Sequence, residues 1–419
     1  MGRTAKAIIG SLHFDIVAGL TVAIVALPLA LGFGVTSGAG AAAGLVTAVV
    51  AGAVAGIFGG SRFQVSGPTG AMVVVLAPIL AALGMASLLP MGIIAGVFLL
   101  AFGALHLGRY VEKVPWAVME GFTLGIAVVI ALQQIPLIFN IDRAEGSEVL
   151  LVAARTTASA LSQPLEWWSL AVVAATLALK ILWSALRPRW NFTRSLPASA
   201  VATIIVSVAV SIAHLPVATI GEIPFPSTLT FGVEWADLKW GSLVWAGFVV
   251  AVLAAVESLL SARVGDAMVH RREGEAPRPY SPNRELVGQG LATLASAIAG
   301  GMPATGAIAR TGVNVNAGAR TRLAALIHSL ALLVFVLFLP HLISQIPLAV
   351  LAGVLLGTSW RIANPGSIRE SLQTVWPARL SYIVTALSVV AIDLIWGIVL
   401  GLLVHTLATF IASRKATGD

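Results

Sequence analysis

Apolar residues run along this chain in long blocks, each closed by a short polar or glycine–proline stretch. With that punctuation the blocks predict membrane-crossing helices near 14–36, 41–59, 67–82, 88–106, 114–138, 167–186, 196–213, 241–263, 285–300, 304–317, 323–340, 345–360, 377–391 and 393–412. Those at 67–82, 285–300 and 304–317 fall short of the roughly 20 residues that a full crossing takes. Two of the short blocks begin alike, with Pro68-Thr69-Gly70-Ala71 and Pro303-Ala304-Thr305-Gly306-Ala307. Glycine-rich sequence leads into each: Gly59, Gly60, Ser66 and Gly67, then Gly300, Gly301 and Met302. Proline and glycine interruptions at matching places in two halves of a membrane chain point to broken helices around a transport site. A helix that starts at mid-membrane leaves its first N–H groups without acceptors, so they face a polar cavity. Their dipole favours an anion there.

Composition agrees with a membrane protein. Apolar residues make up 58% of the 419 and charged residues only 10%, against about 25% in soluble domains. The net charge of +7 is dispersed rather than gathered with aromatics, so no nucleic-acid surface is expected. Orientation explains the charge better. With fourteen spans and a cytoplasmic N-terminus, all but four of the 25 lysines and arginines fall on the cytoplasmic side. Arg143, Arg155 and Lys239 fall outside, and Arg310 is left in the membrane. That asymmetry supports the span count and two cytoplasmic termini. Trp167, Trp168, Trp235, Trp240 and Trp396 then mark the outer rim, and Trp116, Trp183, Trp190, Trp360 and Trp376 the inner one. There is no cysteine, and the seven histidines lack metal-ligand spacing, so neither a metal nor a cofactor is expected. His328 and His405 read as satisfied packing residues within spans. Residues 14–36 read as a retained span rather than a cleaved signal.

Seven spans precede the 214–240 loop and seven follow it. A repeat with an odd number of spans must be inverted, because its second copy starts on the opposite side. The predicted fold is therefore all-α and polytopic, a 7+7 inverted repeat. Residues 1–13 form a cytoplasmic segment, 14–213 the first repeat, 214–240 an outer connection, 241–412 the second repeat and 413–419 a short tail. The two broken helices, the third and tenth spans, then enter from opposite faces and meet near the midplane.

Four ionisable residues fall in or near spans: Glu120, Glu257, Arg310 and Asp393. A charge at bilayer depth costs about 2.5–3.5 kcal/mol even on lenient scales, so it faces protein or water. Arg310 lies in the second broken helix, where it either binds an oxyanion in two-pronged fashion or ties to a carboxylate or backbone carbonyls. Glu257 shares a helix face with Ser261 and has two readings. It is a counter-ion for Arg310, or it couples protons to transport, because an anion arriving beside it favours its protonation. Asp393 is expected to cap the last helix, and Glu120 has a structural reading. Pro28 is expected to break the first span and aim Phe33 toward the cavity; otherwise Phe33 is ordinary core.

Four segments together resemble one family. They are Val25-Ala26-Leu27-Pro28-Leu29-Ala30, Val65-Ser66-Gly67-Pro68-Thr69-Gly70-Ala71-Met72, Val256-Glu257-Ser258-Leu259-Leu260-Ser261, and Arg310-Thr311-Gly312-Val313-Asn314 with Gly318-Ala319-Arg320-Thr321. Their order and content, across essentially the whole chain, are similar to the sulfate permease (SulP) or solute carrier 26 family, and to bacterial members of the Deinococcus group in particular. The resemblance implies a uracil-permease-like arrangement. Spans 1–4 and 8–11 would form a core, and spans 5–7 and 12–14 a gate, with elevator-type alternating access. It also implies a bacterial inner-membrane location, a possible homodimer and, in the family, a cytoplasmic STAS domain that this chain lacks after its last span. By similarity, substrate contact falls on Phe33, Thr69, Gly70, Ser261, Ala307, Ile308 and Arg310, with Glu257 coupling the proton. Two departures matter. Leu29 stands where many relatives carry glutamine, and Ala307, Ile308 and Ala309 replace common hydroxyl residues. A less polar pocket suits an organic anion, such as a dicarboxylate like fumarate, better than sulfate.

The leading expectation is thus a secondary active anion transporter working by proton symport. A sulfate or bicarbonate transporter or exchanger of the same family is the nearest alternative. A nucleobase–cation symporter of this fold would need an acid where Arg310 stands. An anion channel differs in lacking alternating access. A membrane enzyme ranks last, since no nucleophile–base pair is evident.

Overall fold

The structure is a computed structural model that describes residues 3–111, 113–146, 148–186, 197–223, 238–269 and 279–417. Arg187, Arg189, Trp190, Arg194, Trp235, His270, Arg271, Arg272 and Arg278, most of the 214–240 loop, and the side chains of Arg3, Lys6 and Lys415 lie outside the described residues. A helix stands at every predicted span. They are α1 (Arg3–Ser37), α2 (Ala41–Phe58), α3 (Gly70–Leu83), α4 (Leu88–Ala104), α5 (Trp116–Leu132), α6 (Trp167–Leu186), α7 (Ala198–Ile212), α8 (Trp240–Met268), α9 (Pro282–Ile298), α10 (Ile308–Asn316), α11 (Leu323–Phe338), α12 (Leu348–Ala363), α13 (Trp376–Ala391) and α14 (Leu394–Thr417). Two-residue strands β1 (Ser66–Gly67) and β2 (Thr305–Gly306) precede α3 and α10. Among the described residues, seven helices are long and apolar enough to cross a bilayer unaided. α3 and α10 are not. At 14 and 9 residues they extend roughly 21 and 14 Å, well short of a hydrocarbon core of about 30 Å.

Three details differ from expectation. Pro28 does not break the first span: α1 runs through it as one helix. A proline removes one backbone bond and crowds the preceding turn, but neighbouring helices can hold a membrane helix together across that defect. A helix at Val149–Leu161 replaces the expected loop between the fifth and sixth spans; it buries Val152, Ala153, Thr156 and Ala160, one stripe of an amphipathic pattern too polar to read as a span. Within α2, residues Thr47–Ala51 form a π turn, which the sequence did not signal.

The chain divides into two compact units, Met1–Glu112 with Trp168–Val354, and Lys113–Trp167 with Leu355–Asp419. In the first, α9 packs on α4 through small residues. A Cβ on Gly96 would lie 2.5 Å from Leu294 Cγ, and one on Gly290 would lie 2.9 Å from the Leu100 backbone nitrogen and 3.0 Å from the Gly96 carbonyl. Such seams let membrane helices approach closely enough for dispersion to hold them, because lipid tails offer no hydrophobic drive. In the second unit α13 packs on α5 and α14. There Gly121 sits against the Tyr382 carbonyl and Gly397 against Val389. Asp393 caps α14 as expected, accepting from the Trp396 backbone N–H at 2.8 Å. His405 meets Ser381 Oγ at 3.2 Å. Tryptophans 116, 167, 168, 240, 360, 376 and 396 are all exposed near helix ends, where aromatic belts form.

The α4–α9 seam makes a prediction. Gly290→Leu pushes a side chain into backbone on the facing helix and should destabilise the purified protein by about 1–3 kcal/mol, read as a lowered thermal midpoint in detergent. An unchanged midpoint would show that the seam is not tight.

Candidate functional site

The two broken helices meet at their starts. β1 and β2 pair antiparallel, Ser66 opposite Gly306 and Gly67 opposite Thr305. The Ala307 N–H extends the ladder to the Val65 carbonyl at 3.0 Å. Because the strands are antiparallel and each leads into a helix, α3 and α10 leave the bridge in opposite directions. Their first N–H groups, which have no acceptors within their own helices, are therefore brought to one place. Thr69 caps α3 through its hydroxyl, which accepts from the Met72 N–H at 3.4 Å. Ala307 caps α10 without a side-chain bond, so more of that end is left for a ligand.

α8 lies across the bridge and supplies its carboxylate. Glu257 Oε2 accepts the Thr69 hydroxyl at 2.7 Å and the Thr305 hydroxyl at 2.7 Å, while the two threonine oxygens lie 2.9 Å apart. One residue from each broken helix stem thus converges on one oxygen. The rest of this face of α8 is structural. Ser258 Oγ accepts from the Gly306 N–H at 2.9 Å, and buried Ser261 shares a 3.2 Å contact with Thr311, whose oxygen also accepts from the Val65 N–H at 3.1 Å. Glu257 itself is only partly buried.

Arg310 behaves differently from an open cation. Its guanidinium is 1% exposed and packs beneath β1, where Nη2 donates to the Pro68 carbonyl at 2.6 Å. This is the backbone tie among the two readings of Arg310, and it holds the chain at the entry to α3. Nη1 has no partner among the described residues. Gly67 makes room for it: a Cβ there would lie 2.5 Å from Nη1, and its φ of +152° is one that other residues rarely adopt.

Of the expected contact residues, the structure brings Thr69, Gly70, Glu257, Ala307 and Ile308 to the bridge; Gly70 and Ile308 are the first residues of α3 and α10. Ser261 is turned to Thr311, and Phe33 is buried in α1, which packs on α3 and α10. Leu29 is buried as well. His328 is a correction. It is fully buried in α11, yet neither ring nitrogen has a partner among the described residues, so it is not a satisfied packing residue. Gly52, on α2, lies between it and the bridge: a Cβ there would be 3.7 Å from His328 Cε1 and 3.3 Å from the Ser66 carbonyl.

Two buried carboxylates carry no sequence signal because they stand at the ends of the predicted spans 14–36 and 285–300, where a charge looks solvated. Glu285, 1% exposed, accepts from the Gly60 and Ser61 N–H groups at 2.7 and 2.9 Å, and from the Gln64 and Gln289 amides at 3.0 and 2.9 Å. Gln289 donates also to Ser66 Oγ at 2.6 Å, so this network reaches β1. Asp15 is the counterpart on α1. It accepts from the Arg320 and Thr321 N–H groups at 2.7 and 3.0 Å and from the Thr321 hydroxyl at 2.6 Å, while the Arg320 guanidinium lies over the Phe14 ring. Each carboxylate ties one half of the chain to the loop beside a broken helix of the other.

Comparison with known proteins fits this geometry. The profile of the Sulfate permease family matches residues 12–375. The chain is 34% identical over 397 residues to "Putative sulfate transporter YvdB" of Bacillus subtilis, covering 93% of this chain and 72% of that protein. It is 32% identical over 422 residues to "Bicarbonate transporter BicA" of Picosynechococcus, covering 96% and 72%. The solved transmembrane domain of a cyanobacterial BicA superposes with a TM-score of 0.82 at 30% identity, over 93% of this chain and 97% of that one. SLC26A9 superposes with a TM-score of 0.83 over 97% of this chain and 66% of that one; at 15% identity it speaks for the fold alone.

Removing Glu285 tests the architecture behind the bridge. Glu285→Ala leaves two backbone N–H groups and two amides without their acceptor and should cost at least about 3 kcal/mol, seen as a large fall in thermal midpoint. A change below about 1 kcal/mol would mean that water replaces the carboxylate without loss.

Proposed function

This chain belongs to the sulfate permease family, and from the geometry of its site we infer that it is a secondary active transporter that carries an anion together with a proton. It is a multi-pass membrane protein of an anion-transporting family. The observation that carries the finer reading is the junction of Glu257 with Thr69 and Thr305. An anion at the bridge would meet the first N–H groups of α3 and α10, and beside them the only partly buried carboxylate. Counting protons around the junction favours coupling. When Glu257 is charged, two hydroxyl protons serve its two bonds, and the 2.9 Å contact between the threonine oxygens holds none. Once Glu257 is protonated, three protons serve three oxygens and the ring closes, the acid donating to one threonine while the other donates to the acid. Protonation also removes the negative charge that would repel an arriving anion, so the two ligands favour each other.

The substrate we propose is a small organic anion of the dicarboxylate class, fumarate being one such compound. Leu29, Ala307, Ile308 and Ala309 support this, since they give the pocket walls few hydroxyl groups. A second reading, sulfate or bicarbonate, is favoured by the names of the two relatives compared above. For movement we propose the elevator arrangement, with spans 1–4 and 8–11 as the moving core and 5–7 and 12–14 as the gate. The 7+7 inverted repeat, cytoplasmic termini, a bacterial inner-membrane location and a homodimer complete the proposal.

Uptake into proteoliposomes tests it, with labelled fumarate, sulfate, bicarbonate and chloride as the panel and the membrane potential clamped. With one proton per anion, a gradient of one pH unit, acid outside, should raise accumulation by up to about tenfold. Glu257→Gln should transport without that stimulation. Wild-type uptake that ignores the gradient would remove the proton from the mechanism, and uptake of inorganic anions alone would remove the dicarboxylate.

A further inference from the structure

Three arginines gather at the end of α2, beside lipid-facing residues and away from the bridge. Arg284 Nε donates to the Phe58 carbonyl at 3.2 Å, and Arg322 Nη1 donates to the neighbouring Ile57 carbonyl at 3.1 Å. Both therefore close the C-terminal turn of α2, where cations are favoured. Arg62 joins them through the backbone: Ser61, just before it, donates to Glu285, the residue after Arg284. Arg62 and Arg284 are exposed and Arg322 is half-buried. Burial first, then the charges of Arg284 and Arg62, hold the Arg322 guanidinium below its ordinary value, while Glu285 pulls the other way.

Two carboxylates stand close enough to matter, and both are already engaged. Glu285 holds the four donors described above, and Asp266 accepts from the Tyr280 N–H at 2.8 Å while it also faces Arg62. The cluster so keeps positive charge to spare. Directly beside it, Ile57 and Phe58 are 50% and 48% exposed at the end of a candidate span. Cations grouped at the edge of an apolar, lipid-facing surface match the two parts of an anionic lipid.

We propose that Arg62, Arg284 and Arg322 form a binding site for the phosphate of an anionic phospholipid whose acyl chains lie along Ile57 and Phe58. The site is separate from the transport junction. The single negative charge of its phosphate would offset the positive charge that Glu285 and Asp266 leave over, and would brace the loop that leads into β1.

The test uses the whole chain, delipidated in detergent. It is titrated with phosphatidylglycerol, with phosphatidylcholine, and with inorganic phosphate in the presence of phosphatidylcholine, and bound lipid is counted by native mass spectrometry. Phosphatidylglycerol should be retained and should raise the thermal midpoint, whereas phosphatidylcholine should do neither. Each arginine removed should weaken retention about fivefold. Arg62→Ala is the cleanest variant because Arg62 makes no hydrogen bond within the described residues, so the fold should be kept; Arg322→Gln added to it should weaken retention further. Equal retention of the two lipids, or retention unchanged in Arg62→Ala and in the double variant, overturns the proposal. So does a midpoint shift with inorganic phosphate as large as that with phosphatidylglycerol, which would make the ligand a soluble anion.

Discussion

A peptide N–H without an acceptor is costly in hydrocarbon, and this structure is arranged around a place where several such groups are left open. Water is absent at bilayer depth, so irregular backbone survives only where protein or a polar cavity covers it. The four-residue bridge of Ser66, Gly67, Thr305 and Gly306 is the smallest sheet that can pair the two interrupted segments with each other. Everything near it serves that pairing. Ser258 takes up the Gly306 N–H, Thr311 the Val65 N–H, and Arg310 the Pro68 carbonyl. The first N–H groups of α3 and α10 have no acceptors within their own helices, the Thr69 hydroxyl takes up that of Met72, and under our proposal the site they form takes a negative solute.

The same economy explains why the charged residues divide into two kinds. Glu285 has both oxygens committed to backbone and amide donors, and Asp15 has one on two backbone N–H groups and the other on the Thr321 hydroxyl. Such a carboxylate is a fastener. Glu257 is held by hydroxyls alone and stays partly open. A hydroxyl both donates and accepts, so this junction can rearrange its protons without breaking a contact. A polar chain runs from Glu285 through Gln289 to Ser66 in β1, the strand that leads to Thr69.

Much of this was legible in the chain. Block lengths and turn residues located a helix for every predicted span, and the paired Pro-Thr-Gly-Ala and Pro-Ala-Thr-Gly-Ala words located the starts of the two short ones. Glu257 stood out because an acid in the middle of an apolar run has few explanations. Other features had no such signal. Thr305 sat inside a recognised word, but only the antiparallel register sets it opposite Gly67 and within reach of Glu257. Glu285 and Asp15 lie where the apolar blocks end, so hydropathy treats them as surface. For Arg310 the sequence leaves a ligand contact and a backbone tie both open, because charge without direction is all that it offers; the space left by Gly67 decides which way the guanidinium goes. Pro28 was overvalued for a similar reason, since helix-breaking strength depends on what packs around the defect.

The π turn at Thr47–Ala51 carries one residue more than a regular helix would use over the same rise. At its first residue, the Thr47 hydroxyl accepts from the Met302 N–H at 2.8 Å, just before the second break; beyond it, Gly52 and Gly56 face α11. That surplus residue works as a phase shifter, letting one rod present two differently aimed faces. Removing a single amino acid there would leave a regular helix whose later side chains still meet their neighbours, whereas tightening the turn with every residue kept would misaim them all.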